Sequence, residues 1–178
     1  MSTGRRLVIV TGQEGVGKTT IVPALLPYLQ PGAAVDAEEV GQVNPWQFDD
    51  AFKTLLWDNV ADIVRNFWQA GYTTVIAGSF INDYADYVQF RHRLDADVDI
   101  YVIHLCASKA ARDERRIARL KQTSKEWRDA VDRSCPEDTT LRGATAEYRY
   151  VRLQNSSLSV AETVDQIRRA LPSVFRLS

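Results

Sequence analysis

The run Gly12-Gln13-Glu14-Gly15-Val16-Gly17-Lys18-Thr19 constrains this chain more than any other stretch. It fits the spacing G-x-x-x-x-G-K-[ST] and sits in the right context. Before it, Leu7-Val8-Ile9-Val10 is an unbroken apolar run rich in β-branched residues, the pattern of a strand buried on both faces. After it, Thr19 to Leu29 reads as a helix. The glycines let the backbone curl around an anion so that successive N–H groups point inward, and the helix adds the positive end of its dipole. The spacing therefore predicts phosphate groups held over Gly12 to Thr20. Lys18 is expected to reach the β- and γ-phosphates, and the Thr19 hydroxyl to ligate Mg²⁺. Pro23 forfeits a backbone hydrogen bond and predicts a kink near Thr19–Pro23.

The rest of the chain alternates strand and helix. Ala33 to Asp36 is a short strand ending in a carboxylate. Phe48, Phe52, Leu55, Leu56, Val60, Ile63, Val64 and Phe67 recur at helical spacing, closed by Gly71. Strands follow at 73–77, 99–105 and 150–153, and helices at 82–94, at 108–121 behind a Ser108 cap, and at 159–171 with Ser159 and Glu162 spaced as a capping box. The order β-α-β-α-β-α-β-α-β-α predicts a three-layer α/β/α fold around a five-stranded parallel sheet, in a single domain spanning 1–178. In such sheets ligands bind beyond the carboxyl ends of the strands. That places Thr11–Thr19, Asp36–Glu39, Ala77–Asp83 and Cys106–Ser108 around the site.

This succession resembles the small P-loop kinases of adenylate-kinase-like fold, and especially the shikimate, gluconate and chloramphenicol kinases. The resemblance implies ATP as phosphoryl donor, Mg²⁺ as cofactor and a small-molecule hydroxyl as acceptor. Asp36-Ala37-Glu38 stands where those families place an acidic pair after the second strand. Arg115 and Arg119 stand on the helix after the fourth strand, which leads into a helical lid, here about 122–143. Leu153 to Ser159 falls where those families have a loop beside the adenine. Two positions depart from the pattern. Ala77-Gly78 occupies a strand end where many relatives have an aspartate, and Ala77-Gly78-Ser79-Phe80-Ile81 lacks the D-G-x-P-R run of nucleotide-acceptor kinases.

Each residue also has a plainer reading. Asp36, at a strand end near the expected γ-phosphate, can take a proton from an attacking hydroxyl or hold a metal-bound water; the alternative is a turn or helix-cap aspartate. Glu38 is a metal or substrate ligand, or a solvated glutamate. Arg112, Arg115 or Arg116, and Arg119 are separated by three or four residues and so share a helix face. Arg115 and Arg119 are expected on the phosphate oxygens, against a solvated face balanced by Asp113 and Glu114. The lid is expected to close over ATP, against a static excursion packed through Trp127 and Val131. His104 reads as a hydrogen-bonded core histidine. Cys106 and Cys135 lack metal-ligand spacing, so no zinc site is expected. Trp46, Phe48, Trp57, Phe80, Tyr84 and Tyr87 are expected mostly in the core, with one or two walling an acceptor pocket.

Charge narrows the function. The 178 residues hold 22 Lys+Arg and 23 Asp+Glu, a formal charge of −1, which argues against a nucleic-acid or membrane-surface binder. The apolar run Leu7 to Thr11 is too short for a secretory or spanning segment, and the cysteine usage fits the cytoplasm. A nucleotide-dependent switch or a non-transferring P-loop protein remains the alternative, although no N-K-x-D guanine run occurs. The partners expected are the small-molecule acceptor and, at most, a second copy in a homodimer.

Overall fold

The computed structural model of the chain describes residues 4–119 and 124–176. The strands are β1 (Arg6–Thr11), β2 (Gly32–Asp36), β3 (Thr74–Gly78), β4 (Asp99–Cys106) and β5 (Arg149–Gln154). They pair in the order β2-β3-β1-β4-β5, every pair parallel. Alternation across the sheet divides the core. Leu7 and Ile9 of β1 join one buried cluster, and Val8 and Val10 join another. The first cluster is closed by α3 (Asp50–Gln69) through Leu56, Trp57, Val60 and Val64, and by α4 (Tyr84–Arg91) through Tyr87 and Phe90. The second is closed by α1 (Lys18–Leu25) through Ile21, Val22 and Leu25, and by α7 (Val160–Ala170) through Val164 and Ile167. This is the three-layer architecture that the alternation predicts.

Helix ends follow their caps. Asp49 accepts the Phe52 N–H at 2.8 Å and starts α3, so Phe48 stands outside the helix that its spacing suggested and is exposed. Ser108 accepts the Ala111 N–H and starts α5 (Lys109–Ala118). That helix stops short of the expected 121: Arg119 has an extended backbone, and Lys121 lies outside the described residues. The Ser159–Glu162 capping box is formed, an arrangement that stabilises a helix start by about 1 kcal/mol. Pro23 falls within α1, which gives way after Leu25 to a single 3₁₀ turn over Leu26–Tyr28.

The remaining helices are short α2 (Ala37–Val40) and α6 (Lys125–Ser134). α6 lies in the segment expected as a lid, of which residues 122 and 123 are outside the described part. It has no buried residue, and Trp127 is exposed. Apolar packing through Trp127 is therefore not what holds it. Among the described residues no helix is long and apolar enough to cross a membrane.

Candidate active site

Between β1 and α1 the chain curls at the carboxyl edge of the sheet. Gly12 has φ 133°, and a Cβ there would stand 2.2 Å from the Leu105 carbonyl oxygen, so only glycine brings this loop against the end of β4. Gly15, at φ 87°, passes Arg112 and Arg116, which a Cβ would approach to 3.1 Å. Lys18 Nζ donates to the carbonyls of Gly12 at 2.7 Å and Gln13 at 3.2 Å. Burial pushes the Lys18 ammonium below its ordinary pKa; Glu38, Glu14 and Asp36 oppose that shift, and Arg119 reinforces it. The structure thus gathers the carboxylates of Asp36 and Glu38 within electrostatic reach of Lys18. The side chains of Thr19 and Thr20 open α1 and are exposed.

Asp36 ends β2 and caps α2, its Oδ1 accepting the Glu38 N–H at 3.0 Å. That hydrogen bond orients the carboxylate and leaves Glu38 exposed in the first turn. Hydroxyl and carboxylate oxygens are hard donors, the set that suits Mg²⁺, so exposed Thr19 and Glu38 with half-buried Asp36 fit that ion. Beside Asp36, which pairs in register with Gly78, lies Ser79. Its φ is 70°, a left-handed conformation that costs a non-glycine residue about 1–2 kcal/mol. Its buried Oγ has no hydrogen-bond partner among the described residues. Strain together with an unsatisfied hydroxyl at a strand end makes Ser79 a candidate site residue, which the sequence shows only as part of a turn. The one signal in the sequence is Ala77-Gly78-Ser79 at a strand end where the resemblance implies an aspartate.

The four arginines separate by role. Arg115 donates to the Val16 carbonyl at 3.1 Å and to the backbone and side-chain oxygens of Asn155 at 2.7 and 3.2 Å. Buried Asn155, which also donates from Nδ2 to Val16 O at 3.0 Å, completes a clamp between the phosphate loop and the 153–159 loop. Arg119 is exposed and pairs with Glu14 at 3.2 Å. Arg116 is 1% exposed and binds Glu14, Asp113 at 3.1 Å and Asp132 of α6 at 2.8 Å. Arg112 also reaches Asp132, at 2.9 Å. Burial alone would raise the Asp132 carboxyl, but the Arg116 hydrogen bond and the charges of Arg112 and Arg116 outweigh it and hold it below its ordinary value. These pairs join the phosphate loop, α5 and α6 into one network.

The segment after α6 returns to the site. Gln13 Nε2 donates to the Cys135 carbonyl at 2.9 Å, and Thr140 Oγ1 accepts the Tyr84 N–H at 3.0 Å. His104, 2% exposed, has its Nδ1 2.8 Å from the Tyr150 hydroxyl, as a core histidine should. Burial lowers its pKa, keeping the ring neutral at pH 7. Burial, assisted by Glu137, raises the Cys106 thiol to about 11. A cleft of about 930 Å³ opens between α3, α4 and this segment, lined among others by Lys53, Trp57, Asp83, Tyr84, Asp86 and Thr140. Of the aromatic residues singled out in the sequence, Trp57, Phe80 and Tyr87 are buried, Trp57 and Tyr84 line the cleft, and Trp46 and Phe48 are exposed.

No protein-family model and no curated protein sequence matches the chain. Solved structures do. A sugar kinase from Janibacter sp. HTCC2649 superposes with TM-score 0.71 at 15% identity, over 97% of this chain and 99% of the other. A gluconokinase from Sinorhizobium meliloti 1021 gives 0.69 at 13%, over 94% and 92%. The APS kinase of Mycobacterium tuberculosis, solved with AMPPNP and APS, gives 0.63 at 14%, over 94% and 98%. At these identities the likeness establishes the fold, which is that of P-loop small-molecule kinases.

Proposed function

We propose that this protein transfers the γ-phosphoryl group of ATP to a hydroxyl of a small molecule, with Mg²⁺. The observation that carries the reading is the Lys18 ammonium, folded over the carbonyls of its own glycine loop within electrostatic reach of Asp36 and Glu38. Two carbonyl oxygens are weak partners for a desolvated cation. Phosphate oxygens replace them with full charge, which gives nucleotide binding its driving force. The kinase fold and the adjoining cleft support the same reading.

Backbone N–H groups of Gly15 to Thr20 hold the β- and γ-phosphates, and Lys18 neutralises charge on them. Mg²⁺, held by Thr19 with Asp36 and Glu38, would supply further neutralisation on those oxygens. The cleft beside α3 and α4 orients the acceptor. Asp36 takes the proton of its hydroxyl as that oxygen attacks the γ-phosphorus, and the bond to the β–γ bridging oxygen breaks, releasing ADP. Ser79 Oγ donates a hydrogen bond to the transferring group at the strand end where relatives carry an aspartate. Arg119 exchanges Glu14 for a phosphate oxygen when the 124–143 segment, the described part of the expected lid, closes and excludes water. Arg115 acts by clamping the loop.

A coupled ADP-release screen against hydroxylated metabolites, nucleosides and antibiotics tests this reading. ADP release that rises with one acceptor class, with the phosphorylated product formed in equal amount, supports transfer. ADP release equal with and without every acceptor contradicts it.

A further inference from the structure

His104 and Cys106 are two residues apart on β4, so their side chains leave the same face of the sheet at its carboxyl end. Glu137, contributed by the segment after α6, meets them there. A ring nitrogen of His104, the Cys106 sulfur and a Glu137 carboxylate oxygen all lie within 4.8 Å of one another. The Cys106 Sγ to Glu137 Oε1 separation is 3.3 Å. Ligands of a tetrahedral zinc ion stand about 3.5 Å apart, so one pair is already near that separation and the others, within 4.8 Å, need to close by at most about 1.3 Å.

The surroundings hold these groups in place. The Tyr150 hydroxyl fixes the rotation of the His104 ring at 2.8 Å, and Arg152, 2.6 Å from Glu137 Oε1, anchors the carboxylate from β5. Neighbours that orient a histidine and a carboxylate are what metal centres use beyond their ligands. The donor set of nitrogen, sulfur and oxygen is borderline-soft, which selects zinc over Mg²⁺. The sequence alone points away from zinc, because Cys106 and Cys135 lack metal-ligand spacing. The third group is instead a carboxylate 31 residues from Cys106, brought in by the return of the chain from α6.

We propose that His104, Cys106 and Glu137 form a zinc-binding site, separate from the Mg²⁺ position at Thr19, with three protein ligands and a fourth place for water. Cys106 binds as the thiolate, its proton passing to solvent as the sulfur–metal bond forms. Because Glu137 lies two residues beyond Cys135, whose carbonyl accepts from Gln13, the ion fastens this segment to β4 next to the phosphate loop.

The test titrates chelator-treated full-length protein with Co²⁺ as a spectroscopic substitute for Zn²⁺. The expected result is saturation at one equivalent, with intense tetrahedral d–d bands and a thiolate-to-cobalt charge-transfer band, both bleached by Zn²⁺ and untouched by excess Mg²⁺. Cys106→Ser removes the charge-transfer band, and Cys135→Ser, at the exposed cysteine, keeps it. Glu137→Gln, at an exposed position that cannot unfold the core, weakens Co²⁺ binding by about 10-fold or more. Absence of a charge-transfer band at one equivalent, its survival in Cys106→Ser, or unchanged affinity in Glu137→Gln overturns the site.

Discussion

Lys18 holds a positive charge in a half-buried place and satisfies it with two carbonyls, so its removal relieves a desolvated ion instead of opening a core. Lys18→Ala is therefore expected to unfold at a temperature no lower than the parent while losing about 3–4 kcal/mol of transition-state stabilisation. Calorimetry and steady-state turnover check the two halves of that expectation. Asp36→Asn keeps the side chain's size and loses its basicity, and should lower transfer by roughly 10²- to 10⁴-fold with nucleotide affinity within a few fold. Equilibrium nucleotide binding separates the two effects. Normal turnover in Asp36→Asn would move the base elsewhere. Ser79 makes the opposite exchange. Ser79→Gly removes left-handed strain and an unpaired hydroxyl, so urea denaturation should show it more stable by about 1 kcal/mol, with slower transfer.

The arrangement of α5 and α6 shows what helical spacing can and cannot reveal. Arg112, Arg115 or Arg116, and Arg119, at three- and four-residue intervals, told that α5 and its C-terminal end present a cationic face beside the glycine loop. Which arginine is buried depends on Asp132 of α6, 16 residues from Arg116, and on Glu14, 102 residues away, and no local pattern encodes that.

 The pairing is tertiary, and it made Arg116 the structural arginine and left Arg119 at the surface. Asp132→Asn should therefore destabilise the protein by about 2 kcal/mol, because Arg116 and Arg112 lose a charged partner while Glu14 and Asp113 remain. The pH dependence follows from the same carboxylate. Its folded pKa lies below the unfolded value, so its contribution is complete above about pH 4 and is lost as pH falls through the folded value. Denaturant midpoints of parent and Asp132→Asn should accordingly differ at pH 7 and converge in acid.

For the whole molecule, the strand and helix order was legible because each element carries its own period or cap, and alternation of β and α leaves few ways to pair the strands. The glycine loop between β1 and α1 was legible because its spacing is local. The cleft, the Asn155 clamp and the His104–Cys106–Glu137 cluster were not, since each joins residues from elements far apart in the chain. Closure of the 124–143 segment belongs to this scale too. Within it α6 is held by charge pairs and buries no residue, so opening of α6 should cost little, while Leu141 is buried in the core and anchors the far end. Hydrogen exchange should show added protection across 124–143 with a non-hydrolysable ATP analogue, and equal, high protection in both states would contradict a closing lid.

Transfer itself is tested most directly by following the phosphorus. Protein incubated with ATP labelled at the γ-phosphate and an acceptor found by the screen should move the label onto that acceptor, one phosphate for each ADP formed. Lys18→Ala should move almost none. Label recovered only as inorganic phosphate, or equal transfer by parent and Lys18→Ala, would contradict the account.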